Sequence, residues 1–160
     1  MKIRISAVAM LGAALAIGAC SQSPDMNKVR DDVVKAQADG KKKVADAQAN
    51  YDKANAEARK DVTNAQVDAS AKVDPVRQDA AQDVAKAHND ASEKLADAKY
   101  DVDKAKAEAD YNVAVAQCDS QTGSARSSCK DAAKATYDQT VAAAKSARDA
   151  AHKTAQANNG

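Results

Sequence analysis

Val62, Val73, Val84 and Leu95 stand eleven residues apart. Each is followed three and seven residues later by another apolar side chain: Ala65 and Ala69, Val76 and Ala80, Ala87 and Ala91, Ala98 and Val102. Eleven residues in three turns is about 3.67 per turn, so the repeat lays an apolar stripe almost parallel to the axis of a nearly straight helix, with any supercoil right-handed. Tyr51, Ala54 and Ala58 continue the register upstream, and Ala109 and Val113 extend it downstream. Lys106 and Gly40 occupy slots meant for a large apolar residue, and Gly40 is expected to loosen the helix locally. Because the large residues keep the step, and not Ala alone, chance spacing in an Ala-rich chain does not account for it.

Composition decides between a rod and a globule. Beyond residue 20 the chain has one Leu, Leu95, no Ile, Phe or Trp, and about a quarter of it is Ala. Burying Ala gains little beside the roughly 1.5 to 3 kcal/mol of a large aliphatic side chain, so no deep core can be assembled. Ala, Lys, Glu, Gln and Arg nevertheless favour helix, and the expected fold class is all-α. Ser23-Pro24-Asp25 supplies an N-cap, a Pro at the first helical position and an acid in the first turn. Asp74-Pro75 repeats that signature, but the unbroken stripe across it favours a kink near residue 75 in one long helix over 25–118. Asp39 with Lys43, Asp68 with Lys72, Asp90 with Lys94 and Asp149 with Lys153 are acid-to-base pairs four residues apart, each expected to add a few tenths of a kcal/mol.

The stretch CDSQTGSARSSC, residues 118–129, breaks this pattern. In a continuous helix Cys118 and Cys129 would lie about 16.5 Å apart at 1.5 Å per residue, whereas a disulfide needs Cα atoms about 5.5 Å apart. A bridge therefore requires the chain to turn back. Residues 119–123 lack apolar side chains, Gly123 can take the left-handed conformation that ends a helix, and Ser124 can cap the next one. The stretch reads as a turn over 119–125, stapled by Cys118 and Cys129, leading into a shorter C-terminal helix over 126–157. In an oxidising compartment such a bridge contributes about 2 to 4 kcal/mol, which matters where the core is thin.

The other end of the chain bears on location. Lys2 and Arg4 precede an apolar run over residues 7–17, too short for a permanent membrane span, and this is the pattern of a secretory signal. Its last residues, Ile17-Gly18-Ala19-Cys20, resemble the bacterial lipobox. That resemblance implies cleavage after a signal over 1–19, acylation of the Cys20 thiol and of the new amino terminus, and a short linker over 20–24. Three acyl chains exceed the two signals that stable anchoring requires. Ser21 in place of Asp resembles the sorting signal of Gram-negative lipoproteins bound for the outer membrane. Removal of Lys2 and Arg4 leaves 22 basic against 23 acidic residues, and nothing in that balance steers the chain to nucleic acid. The basic run Lys41-Lys42-Lys43 reads as a solvated helix face.

Tyr111, Ala114, Cys118, Asp119, Gly123, Ala125, Cys129, Lys134 and Ala135 resemble a motif of small Ala- and Lys-rich exported proteobacterial proteins, some labelled cell-envelope proteins. The likeness spans 111–137 and implies an exported helical protein with a bridged turn, and no activity. The eleven-residue repeat separately resembles late-embryogenesis-abundant and apolipoprotein-like repeats in composition. No catalytic constellation, Gly-rich phosphate loop or metal-ligand cluster is visible, and no cofactor is implied. His88 and His152 lie in polar helical contexts and are expected to be solvated, and two thiols with distant histidines do not close a zinc site. The chain ends Ala157-Asn158-Asn159-Gly160, without the terminal Lys by which the major outer-membrane lipoprotein links to peptidoglycan. The expected role is a lipid-anchored structural or interaction protein of the envelope, a periplasmic rod or spacer and not an enzyme. Its partners would be the membrane and, through the Ala-rich face, another envelope protein or a second copy. The alternative is a partly disordered stress protectant.

Overall fold

The computed structural model describes residues 24–71 and 77–158, which form three helices: α1 (Met26–Ala71), α2 (Arg77–Cys118) and α3 (Gly123–Ala157). No strand occurs among the described residues. The signal over 1–19, Cys20, Ser21 and Pro75 lie outside them.

The start of α1 is set by Asp25. Its Oδ1 accepts from the backbone N–H of Asn27 at 3.0 Å and of Lys28 at 3.3 Å, while its carbonyl accepts from Val29 at 3.0 Å. These are the bonds of an N-cap, so Asp25 takes the role expected of Ser23, and Pro24 stands before the helix.

Sequence order and spatial order then decide the topology. Gly40 lies against Ala109, Lys43 pairs with Glu108 and Asp61 with Lys94, so rising numbers in α1 meet falling numbers in α2. The two helices are antiparallel. This replaces the expected long helix over 25–118 with two helices packed side by side: the stripe is long enough to fold onto itself, and folding buries both halves where a kinked rod would leave them in water. The same reversal holds between α2 and α3, where Cys118 faces Cys129, Tyr111 faces Tyr137 and Tyr100 faces Arg148.

Helix α2 is the middle member. Ala91 and Ala109 belong to its repeat stripe, and Ala109 touches α1, while Tyr100 and Cys118 meet α3. Tyr100 and Cys118 each come nine residues after one of those alanines, two and a half turns, which places the two sets on opposite sides of the helix. Helices α1 and α3 do not pack on each other among the described residues. Each helix therefore runs antiparallel to the next, with α2 between the other two, and Tyr51 of α1 lines one groove with Ala144 and Ala147 of α3.

The stripe is the seam between α1 and α2: Ala58, Ala80, Ala91 and Val102 are buried. Apart from Val102 and Cys118, the buried apolar residues among those described are all Ala. Small side chains let backbones approach closely, and Gly40 marks the tightest point. A Cβ placed on it would stand 2.7 Å from the Cβ of Ala109, so the slot is empty because α2 fills it. Gly40 is thus a contact point within a continuous helix, not the local loosening expected of it.

Candidate functional site

The densest chemistry lies at the closed end between α2 and α3. Cys118 and Cys129 form a disulfide with Cα atoms 5.6 Å apart. Three successive bonds of the tighter i→i−3 type wind down the end of α2: Asp119 N–H to Ala116, Ser120 to Gln117 and Gln121 to Cys118. The reversal occupies residues 119–122, and Gly123 adopts a φ of 56°, the left-handed region that the turn requires. Ser124 does not cap the next helix. Thr122 takes the N-cap position with extended backbone, φ −128° and ψ 160°, and no side-chain cap bond forms.

Asp119 closes this end a second time. Its Oδ1 accepts from Arg126 Nε at 2.8 Å and Nη2 at 2.5 Å, and Lys130 Nζ lies 2.8 Å away. The Lys130 ammonium first, and then the Arg126 guanidinium, hold the Asp119 carboxyl below its ordinary range, against the opposing effect of partial burial. An acid in the turn just past one helix and two bases on the first turns of the next make a clasp around a disulfide. The sequence carried the signal, opposite charges on the two sides of a Gly turn, but the spacing of seven between Asp119 and Arg126 exceeds the three or four residues over which side chains pair within a helix.

Further along the same pair of helices the ring centroids of Tyr111 and Tyr137 stand 5.4 Å apart, tilted by 41°. Arg148 places its guanidinium 4.9 Å from the centre of the Tyr100 ring and also pairs with Asp149. Asp149 in turn is held below its ordinary range, chiefly by that hydrogen bond from Arg148. His152 is half-buried, with Nε2 3.0 Å from Asp97 and Nδ1 3.9 Å from Glu93, where solvation had been expected. The reason is tertiary: the two acids belong to α2 and reach His152 only because α3 folds back. His88 is exposed, as are Lys41 and Lys42.

Between α1 and α2 the surface opens into a groove of about 900 Å³ with Gly40, Val44, Ala109 and Val113 along it. Lys106 lines it too, so the groove lies where both large-residue slots of the stripe, Gly40 and Lys106, lack an apolar side chain.

The expected i,i+4 pairs rearrange. Lys43 turns from Asp39 to Glu108 of α2, and Lys94 from Asp90 to Asp61 of α1. Asp90 pairs with Lys86, Asp149 with Arg148, and Lys72 lies outside the described residues. Among the described residues, the pairs four apart within one helix, Lys53–Glu57, Lys86–Asp90, Lys99–Asp103 and Lys134–Asp138, run base to acid, the orientation the helix dipole favours less.

Among the described residues no group of His, Cys, Asp or Glu is arranged to hold a metal ion, and no helix is long and apolar enough to cross a membrane. Comparison of the chain with protein-family models, with curated proteins and with solved structures gives no match. The structure brings Cys118 and Cys129 together. It does not describe Cys20 and Ser21, so the lipidation and sorting expectations rest on the sequence.

Proposed function

We propose that the protein is a lipid-anchored helical spacer of the bacterial cell envelope, held to the membrane through acylated Cys20, sorted to the outer membrane by Ser21, and structural in its action. The observation that supports this reading is that the start of α1 lies at the same end as the disulfide-clasped turn. Gly40 lies against Ala109, and Met26 and Cys118 are reached by continuing along each helix from that contact, so the start of α1 and the disulfide turn share one end. A membrane anchor five or six residues before α1 would tether that clasped end. The helices would then project by the length of α1, 46 residues or about 69 Å at 1.5 Å per residue. A single helix over 25–118 would have reached about 140 Å. Folding back therefore halves the reach and adds contacts between helices that a single helix would lack.

Labelled palmitate should enter the native protein and not Cys20→Ala, and Ser21→Asp should move the processed protein toward the inner membrane. Equal labelling of both forms would overturn the anchor. Circular dichroism and small-angle scattering on the chain lacking lipid test the spacer itself. Strong helicity with a longest dimension near 70 Å supports it, whereas weak helicity in dilute buffer supports the partly disordered protectant.

A further inference from the structure

We propose that Asp119 sets the redox stability of the Cys118–Cys129 bridge, keeping it oxidised by neutralising charge beside Cys129. Arg126 and Lys130 stand three residues before and one residue after Cys129 on α3, and both are drawn onto the one carboxylate oxygen of Asp119. Cys118 is 1% exposed, while Cys129 is only partly covered, so the bridge is open to a reductant from the Cys129 side.

With a dithiol as reductant, one of its thiolates attacks Cys129 Sγ. The S–S bond breaks, its electron pair leaves on Cys118 Sγ, and that sulfur takes a proton from water. The second thiolate of the dithiol then attacks the sulfur joined to Cys129, closing a cyclic disulfide and expelling the Cys129 thiolate. Two electrons have passed to the protein, and the dithiol is oxidised.

The charge on that last leaving group is what the clasp controls. A thiolate beside a guanidinium and an ammonium is stabilised, which favours the reduced state. With Asp119 present the three side chains sum to one positive charge; without it they sum to two, and without Lys130 instead they sum to zero. The depressed Asp119 carboxyl keeps its negative charge throughout the range in which thiols react. A merely mechanical clasp would be broken by losing either partner, and both losses would ease reduction. An electrostatic one gives opposite signs.

The test equilibrates the full processed chain with reduced and oxidised dithiothreitol and counts free thiols by alkylation and mass. Asp119→Asn should shift the equilibrium toward the dithiol form by about tenfold, about 30 mV for a two-electron couple. Lys130→Gln should shift it the other way. Asp138→Asn, which removes the same charge from a pair within α3, should leave it unchanged. Shifts of the same sign in Asp119→Asn and Lys130→Gln, no shift in either, or an equal shift in Asp138→Asn would each overturn the proposal. Far-UV circular dichroism identifies any variant that loses helix, and Lys130→Gln decides the matter alone if Asp119→Asn does not fold.

Discussion

The two seams of this structure are built from different materials. Between α1 and α2 the contact is a repeat of small residues, tightened at Gly40 and edged by the exposed pairs Lys43–Glu108 and Asp61–Lys94. Between α2 and α3 it is a series of particular devices: a disulfide, the Asp119 clasp, the Tyr111–Tyr137 rings, Tyr100 under Arg148 and His152 between two acids. A long seam can rely on many weak contacts of one kind. The shorter seam, against a helix of 35 residues, cannot, and it concentrates stabilisation in a few strong ones. In the first seam identity is set by spacing, in the second by individual side chains.

The sharpest way to break this comparison is to remove the staple. Cys118→Ser should lower stability by about 2 to 4 kcal/mol, the range for closing a short loop. Amide exchange should accelerate throughout α3 and much less in α1. Free-thiol labelling of the native protein should fail until a reductant is added, and uniform acceleration across both seams would show that they are not separate.

The first seam has its own weak point. Gly40→Ala should raise intrinsic helix stability by about 1 kcal/mol, yet overpacking against Ala109 costs about 1 to 3 kcal/mol, so the net effect should be a loss. Ala109→Gly in the same chain should recover part of it. A Gly40→Ala protein more stable than the native one would mean that α1 and α2 do not meet at this point.

Acid should act on the second seam through a smaller term. The Asp119 carboxyl titrates below its ordinary range when folded, so its ionised form is favoured by folding. The stability it contributes is complete above the unfolded value and is lost as pH falls through the ordinary carboxylate range and then through the depressed one. Melting temperatures of the native protein and Asp119→Asn should therefore differ at neutral pH, and the difference should shrink as pH falls through the ordinary carboxylate range and below it. A constant difference would show that the clasp acts without its charge.

Lys43→Gln should have the smallest effect. The hydrogen bond and charge of Glu108 raise the Lys43 ammonium above its ordinary value, but both side chains are exposed, and water competes for each. The melting temperature should not move measurably, and only a fall comparable to that of Gly40→Ala would make this pair a structural element of the seam.

Much of this architecture is written in local pattern. The eleven-residue step of Val62, Val84 and Leu95 identified the helices and the face they bury, because a helix has one period and the stripe repeats it. Cys118, Gly123 and Cys129 identified the bridged turn, because no straight helix brings those thiols together. The start of α1 lies two residues beyond the one Ser23 would give, since Ser23 and Asp25 are both good caps and only the backbone bonds of Asn27 and Lys28 choose between them.

The sequence by itself determined helix, stripe and staple, each of which follows from the spacing of residues along one chain segment. The tertiary structure alone decided that α1 and α2 pack antiparallel along the stripe, that Gly40 is filled by Ala109, and that Lys43, Lys94 and His152 choose partners on another helix. The physical reason is the same in each case. An eleven-residue period is identical whether the helix continues or reverses, and a charged side chain finds acids three or four residues away as readily in sequence as it finds others across a seam. Only burial of the second half of the stripe against the first separates those alternatives, and burial belongs to the folded chain.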